Sequence, residues 1–544
     1  METKAKQIIL YIIFSIMFFV CFIFAYSAKQ IHFSHKSGFY DNEFYFSIKS
    51  PKNTKIFYTL DSSEPTVNSL TYSKPILIKD ASSNPNVFSA RSDMTFNNKN
   101  TPKSPVDKAT ILRVCVFDEN NNLIKQDYRI FFVGFKNKKG YKNLPIVSVI
   151  MNPEDIIGEE NGLLILGKKE NPKEEDCWED PVSRINFCAM GRSWERQAII
   201  DIFDQNHRKI LLSQKAGIRI KGKKSRLWIQ KSMSLFARKE YANSNYFNKN
   251  ILRKNTKIHN FVLFNGGDDI KTKLREFLIQ TVESKTIKNV ATMKMIPCCV
   301  FLNGEYWGVY YITENYNEQY ISTVYNIQKQ NILIQEKPNY PSYIYEIWDF
   351  LGAKMSNLST FFTQTDMSDE KNYKRACEII DMESFINYFA TEIYIANSDW
   401  PDNNNIMWRT KYKDKNNKYA DMKWRWMLFD VNSHATLYAY YNDTIERAIK
   451  LSPIFKSLIR NKTFREKFKQ RIYYLETKVY TPKKMNKLID KWLVLMKEPI
   501  IKSKDRFQEN KSRQFINEEI RGIRIFFERR PEYINRYIDK HMPD

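Results

Sequence analysis

Cysteine and histidine are scarce, 7 and 6 among 544 residues. The cysteines do not recur at zinc-ligand spacing, and no two histidines stand four apart, so neither a zinc module nor a histidine metal centre organises the chain. A disulfide framework is absent too. Cys21 lies in an apolar run, Cys115 and Cys299 read as core positions of strands, and Cys377 sits in a helical stretch. Cys177 and Cys188 flank one loop and are the two that an oxidising compartment could join. His434 is the histidine nearest candidate chemistry, and a structural role suits it better than a catalytic one.

Positive charge is plentiful: 86 Lys and Arg against 61 Asp and Glu, a formal net charge of +25. A nucleic-acid partner would need that charge gathered into a patch or stripe. Instead, Lys and Arg are spread along the chain among Asp, Glu and Asn. No nucleic-acid partner is expected; attraction to anionic wall polymer or acidic protein is the better reading. Residues 8–25 form an apolar run preceded by Lys4 and Lys6. Residues 1–28 are therefore a signal peptide or a membrane anchor. The run exceeds the usual signal core, which favours the anchor, although Ala25-Tyr26-Ser27 offers a cleavage site. The flanking lysines put the body on the extracellular face.

Beyond it, residues 30–140 alternate short apolar runs with turn residues: Phe44–Ile48, Lys55–Leu60, Ile76–Ile78, Val87–Arg91, Ile111–Phe117 and Tyr128–Val133. That rhythm predicts a small all-β sandwich. Residues 141–544 read as α+β, with a strand-rich lobe over 141–340 and a helical lobe over 341–544. Asn303-Gly304 between apolar runs predicts a hairpin. In the second lobe, Phe464–Tyr474, Met485–Met496, Phe515–Glu528 and Pro531–Lys540 carry apolar residues at helical spacing, with Pro531 suited to a first turn.

The stretch from Asp381 to Asn432 holds the candidate chemistry. Phe385, Tyr388, Phe389, Ile393 and Ala396 predict a helix capped by Asp381 or Ser384 and ending near Asn397, ahead of Pro401. A loop with Asp399 and Asn404 follows, then a strand from Lys423 to Asp430. An Asp, an Asn five residues on and a second Asp at a strand end is a phosphoryl-transfer pattern. Asp399 would orient the attacking hydroxyl, and Asn404 and Asp430 would hold the metal. A plain loop built from the same residues is the competing reading.

Several segments resemble the CotH kinase family in the family's order, over about residues 144 to 540. Gly217-Ile218-Arg219-Ile220-Lys221-Gly222 and Gln230-Lys231-Ser232-Met233-Ser234-Leu235 resemble its paired strands. Phe261-Val262-Leu263-Phe264-Asn265 with Leu274-Arg275-Glu276 resembles LLN…LRN. Asn303-Gly304-Glu305-Tyr306-Trp307-Gly308-Val309-Tyr310-Tyr311-Ile312-Thr313-Glu314 is close to NGEYWGVYLLTE. The chain departs from the family pattern at Glu276, where Asn is usual, at Asn432, where an acid is common, and at Lys223-Lys224, where small residues are usual. Separately, Ile56–Thr66 with Tyr72 and Pro75-Ile76 resembles the immunoglobulin-like module of chitobiases. It implies a spacer, or contact with wall carbohydrate through exposed aromatics.

The resemblances imply a two-lobed atypical protein-kinase-like domain behind an immunoglobulin-like sandwich and an N-terminal hydrophobic helix. Such a kinase would move the γ-phosphate of ATP, with Mg²⁺ or Mn²⁺, to Ser or Thr of an exported, coat or surface protein. Asp399 would be catalytic. Asn404 and Asp430 would bind metal. Lys231 would hold phosphate, with Arg219 and Lys221 next in line; Glu276 would pair that lysine; Arg275, which matches the family better, is a further cofactor-binding candidate; and Glu314 would end the strand leading to the adenine. The alternative is a pseudokinase serving as a structural or carbohydrate-contacting surface protein. A hydrolase or carbohydrate binder is a third class.

Overall fold

The computed structural model describes residues 31–543 other than 97–100, 170–171, 180–184, 337–346, 349–353, 356–357 and 508–511. The apolar run at 8–25 lies outside them. Among the described residues no helix is long and apolar enough to cross a membrane.

The protein is α+β, β-rich toward its N-terminus and helical toward its C-terminus. Its N-terminal module holds a five-stranded sheet ordered Gly38–Tyr40, Leu123–Val133, Thr110–Phe117, Lys55–Thr59, Leu70–Thr71. The ladder Phe44–Phe46/Ile76–Ile78 covers one face, burying Phe46 and Ile78 against Leu112, Val114, Val116 and Phe131. Strand alternation sends Ile111, Ile130 and Phe132 to the other face. That face packs on the next domain, where Phe132 meets Phe301 with ring centroids 5.1 Å apart. The module is thus built into the main core instead of standing off as a spacer. Val87–Arg91 is not a strand. The Val87 and Ser89 amides donate to the Glu305 carboxylate at 2.6 and 2.7 Å, so the segment's polar groups are satisfied by the neighbouring domain and not by a ladder.

That domain opens with a closed seven-stranded barrel. Its order is Ile146–Ile150, Arg196–Phe203, Ile210–Lys221, Ser232–Phe236, Asn260–Phe264, Glu305–Thr313, Met295–Leu302, and parallel pairing returns to the first strand. Val147, Ile200, Ile218, Met233, Leu263, Val300 and Ile312 fill its interior. The hairpin turn is Asn303-Gly304, both at positive φ. Cys177 and Cys188 form a disulfide beside the barrel.

The helical lobe is arranged around Met382–Ile395, a helix buried on nearly every side. Asp381 caps it, accepting from the Ser384 amide at 3.0 Å, and Ala396 ends it in a left-handed conformation. Lys462–Tyr474, Pro482–Arg506 and Ser512–His541 surround it. Pro531 does not open a helix; it lies inside the last one. Ile534 and Ile538 continue the stripe of Phe526 and Phe527 into the same core, and that burial outweighs the roughly 3 kcal/mol a mid-helix proline costs. The strand before Asp430 is short, Arg425–Met427, in a three-stranded sheet with Ile332–Glu336 and Ile406–Thr410.

Candidate active site

A cleft of about 1110 Å³ runs between the outer face of the barrel and the helical lobe. Lys221, Ser232, Phe264 and Glu314 come to it from the barrel; Asp399, Asn404, Phe429 and Asp430 face them. The turn after the Ile210–Lys221 strand adds Lys223 and Lys224.

The loop that carries Asp399 is pinned at several points. The Asn397 side chain donates to Glu392 at 2.9 Å and accepts from the Asp399 amide at 3.2 Å. Ser398 donates twice to the Ser433 carbonyl, which ties this loop to the segment after Asp430. Trp400 is buried, and its carbonyl accepts from Arg447 at 2.6 Å. The Asp399 carboxylate accepts from Asn403 at 3.0 Å and from Asn404 at 2.7 Å. With its amide nitrogen on Asp399, Asn404 has its carbonyl oxygen left to offer.

Asp430 sits at φ 57°, just past a strand whose next residue, Leu428, is held from the barrel side. The Leu428 amide donates to Ala291, and its carbonyl accepts from Gln280 and Tyr316, both at 2.9 Å. The Asn432 side chain donates to Asp430 and accepts from the Asp268 backbone amide at 3.1 Å. Burial, with Asp268 and Asp399 nearby, pushes Asp430 up to about 6, against the pull of the Asn432 hydrogen bond and Lys221.

The barrel residues divide by strand phase. Lys221 points outward into the cleft, and its Nζ donates to Asn315 at 2.9 Å. Lys231 shares its face with Met233 and Leu235, and that face is the barrel interior. Its Nζ donates to the Met94 and Trp228 carbonyls, each at 2.8 Å, and lies 3.9 Å from the Phe187 ring centroid. Burial holds its pKa well below the usual lysine range. The expectation that Lys231 meets the phosphates is therefore corrected: Lys221 is the strand lysine that lines the cleft. Arg219 shares the outward face but stacks on Phe236 and faces Glu195 at 3.5 Å.

Glu314 lines the cleft edge, paired with Arg253 and accepting from the Lys294 amide at 2.8 Å. Arg275 does not reach the cleft. It binds Asp269 at 2.8 Å, Glu519 at 2.7 Å and the His434 carbonyl at 2.7 Å, joining the barrel-side helix to the far lobe. His434 is buried and pushed down to about 3 by desolvation, a neutral structural ring. Glu276 lines the cleft without a lysine partner. Gln280 donates to it at 3.0 Å, and burial beside Asp430 raises it to about 8.

Asp268 also lines the cleft, and the sequence pattern does not single it out. Its signal is Gly266-Gly267 after an apolar strand. Both glycines have positive φ, and a Cβ on Gly267 would collide with the Asn432 side-chain nitrogen. Only glycine lets that turn approach so closely.

The donor set suits a nucleotide with a hard divalent cation. Carboxylate and amide oxygens converge at one end, where burial already crowds like charges. Lys221, Lys223 and Lys224 offer cations for phosphates, while Val262, Phe264, Met295, Ile406 and Phe429 offer apolar wall for a base.

Fold and cleft define a two-lobed, kinase-like protein. The family model described as CotH kinase protein matches residues 218–534, more than half of the chain, and the chain belongs to that family. A second model, described as Fn3 associated, matches residues 46–128 in the N-terminal module. No curated protein matches the sequence.

Proposed function

We propose that the protein is an ATP-dependent kinase that phosphorylates Ser or Thr hydroxyls of exported or surface-displayed proteins. The observation that carries this reading is the convergence of Asp399, Asn404 and Asp430 on one cleft, opposite Lys221. In this reading Asp399 orients the acceptor hydroxyl and takes its proton. Asn404 and Asp430 hold Mg²⁺ or Mn²⁺, and the cation neutralises charge on the phosphates when bound. Lys221, Lys223 and Lys224 steady the phosphate oxygens. Positioning and charge neutralisation carry the rate, because phosphoryl transfer leaves little covalent work to the protein. The Cys177–Cys188 disulfide supports an oxidising, extracytoplasmic setting. The apolar run at 8–25 would hold the protein at the extracellular face of a membrane.

A pseudokinase is the competing reading, favoured by the two asparagine amides that occupy both Asp399 oxygens. Thermal unfolding separates the two. ATP with Mn²⁺ should raise Tm by several degrees, and mass spectrometry should find phosphate on Ser or Thr. No shift and no phosphate would replace the kinase with a non-catalytic surface protein.

A further inference from the structure

Glu276 is out of keeping with its surroundings. It lies on the first turn of the Arg275–Thr286 helix, only 2% exposed, with its carboxyl at the cleft wall. Oε1 accepts from Gln280 at 3.0 Å, whereas Oε2 is buried with no hydrogen bond. The Val431 amide and the Asn432 side chain lie close enough to ease its burial but close no bond to Oε2. A buried carboxyl oxygen without a partner costs about 1–3 kcal/mol. Nothing in the packing requires an acid there, since a glutamine would keep the contact to Gln280.

The neighbourhood shows what would satisfy it. Asp430 lines the same cleft, and the Gln280 side chain joins Glu276 to the Leu428 carbonyl, two residues before Asp430. Beside them Asn432 donates its side-chain nitrogen to Asp430 and accepts with its oxygen from the Asp268 amide. Residue 432 therefore brings no carboxylate to a cation on the Asp430 side, only an amide oxygen already engaged by one backbone donor. We propose that Glu276 supplies the carboxylate that residue 432 lacks: it is a ligand of the divalent cation bound by Asp430 in the nucleotide complex. This rests on the kinase reading and assigns Glu276 a place within it. The helix that carries Glu276 then senses the loaded cleft directly, because Gln280, one turn on, bonds both Glu276 and the Leu428 carbonyl.

The test is Mn²⁺ binding by the full chain with ATP present, followed by the electron paramagnetic resonance of free Mn²⁺. Glu276→Gln should weaken Mn²⁺ binding by about 10-fold or more, the scale at which losing a metal-site partner is felt. The charge-conserving exchange Glu276→Gln/Asn432→Asp should recover most of that loss, since it returns a carboxylate to the same cation. Binding of ATP without metal should be equal in all three proteins. A wild-type response with an unchanged Glu276→Gln overturns the assignment alone and leaves Glu276 a protonated structural group. A loss that the exchange does not recover overturns it as well. Absence of Mn²⁺–ATP binding in the wild type overturns the kinase reading, and this assignment with it.

Discussion

At the scale of single residues, the cleft separates side chains that share a sequence pattern but not a direction. Lys221 and Lys231 both flank the same strand turn, and both read as cations on a barrel strand. One faces the cleft and the other the barrel interior, a difference of phase that only the register of Ile210–Lys221 against Ser232–Phe236 fixes. Lys221→Met should weaken ATP binding about 10-fold, while Lys231→Met should leave it within about twofold, measured by calorimetric titration. Equal losses would undo this division of roles between the two lysines. Asp399, Asn404 and Asp430 were legible because their spacing in the chain reflects one loop and one strand end that face each other. Asp268 was not. Its approach depends on Gly267 lying against Asn432, and the neighbouring Asp268–Ser433 bond joins residues 165 apart in the chain.

At the scale of elements, the buried helix Met382–Ile395 holds the Asp399 loop, and its C-terminal end, where that loop begins, rests on one side chain. Arg530 donates to the carbonyls of Ile393, Tyr394, Tyr440 and Asn442 and to the Thr444 hydroxyl, at 2.7 to 2.9 Å. Arg530→Met removes these five hydrogen bonds and the buried charge that makes them. A loss of about 3–5 kcal/mol in urea unfolding is expected, against about 0.5 for an exposed arginine. The join between module and barrel should be felt in pH dependence. Asp201 is buried, accepts from the Tyr128 hydroxyl at 2.8 Å, and is pushed up to about 6 by desolvation. Its folded state holds the proton more tightly than the unfolded chain does. The stability it allows is full below about pH 4 and lost as pH rises through about 6, up to about 3 kcal/mol. Asp201→Asn should flatten that part of the stability–pH curve; an unchanged slope would remove Asp201 as its cause. The periodicity of Pro482–Arg506 and Ser512–His541 was readable, yet the fusion across Pro531 was not, since a local proline signal carries no information about the core that the following turn reaches.

At the scale of the whole molecule, the N-terminal module and the barrel share one apolar core. Phe39 packs on Phe203 at 5.4 Å between ring centroids and Phe132 on Phe301, while Glu305 closes the Val87–Ser89 loop. Strand patterns announced a β-module but could not show its second face, because alternation tells which residues leave a sheet and not what meets them. Calorimetry should therefore record the module and the barrel unfolding together in one transition, and removing residues 31–140 should leave a domain that aggregates. Two separate transitions would restore the picture of a detached spacer. All of this structure serves the cleft, and the cleft's chemistry can be read in one experiment. The full chain is incubated with γ-labelled ATP and Mn²⁺ beside Asp399→Ala and Asp430→Ala, with circular dichroism to check folding. Phosphate on Ser or Thr in the wild type, lowered about 10³-fold or more in both folded variants, is the expected result. Equal labelling in all three proteins, or none in any, would contradict the assignment of the cleft as a phosphoryl-transfer site.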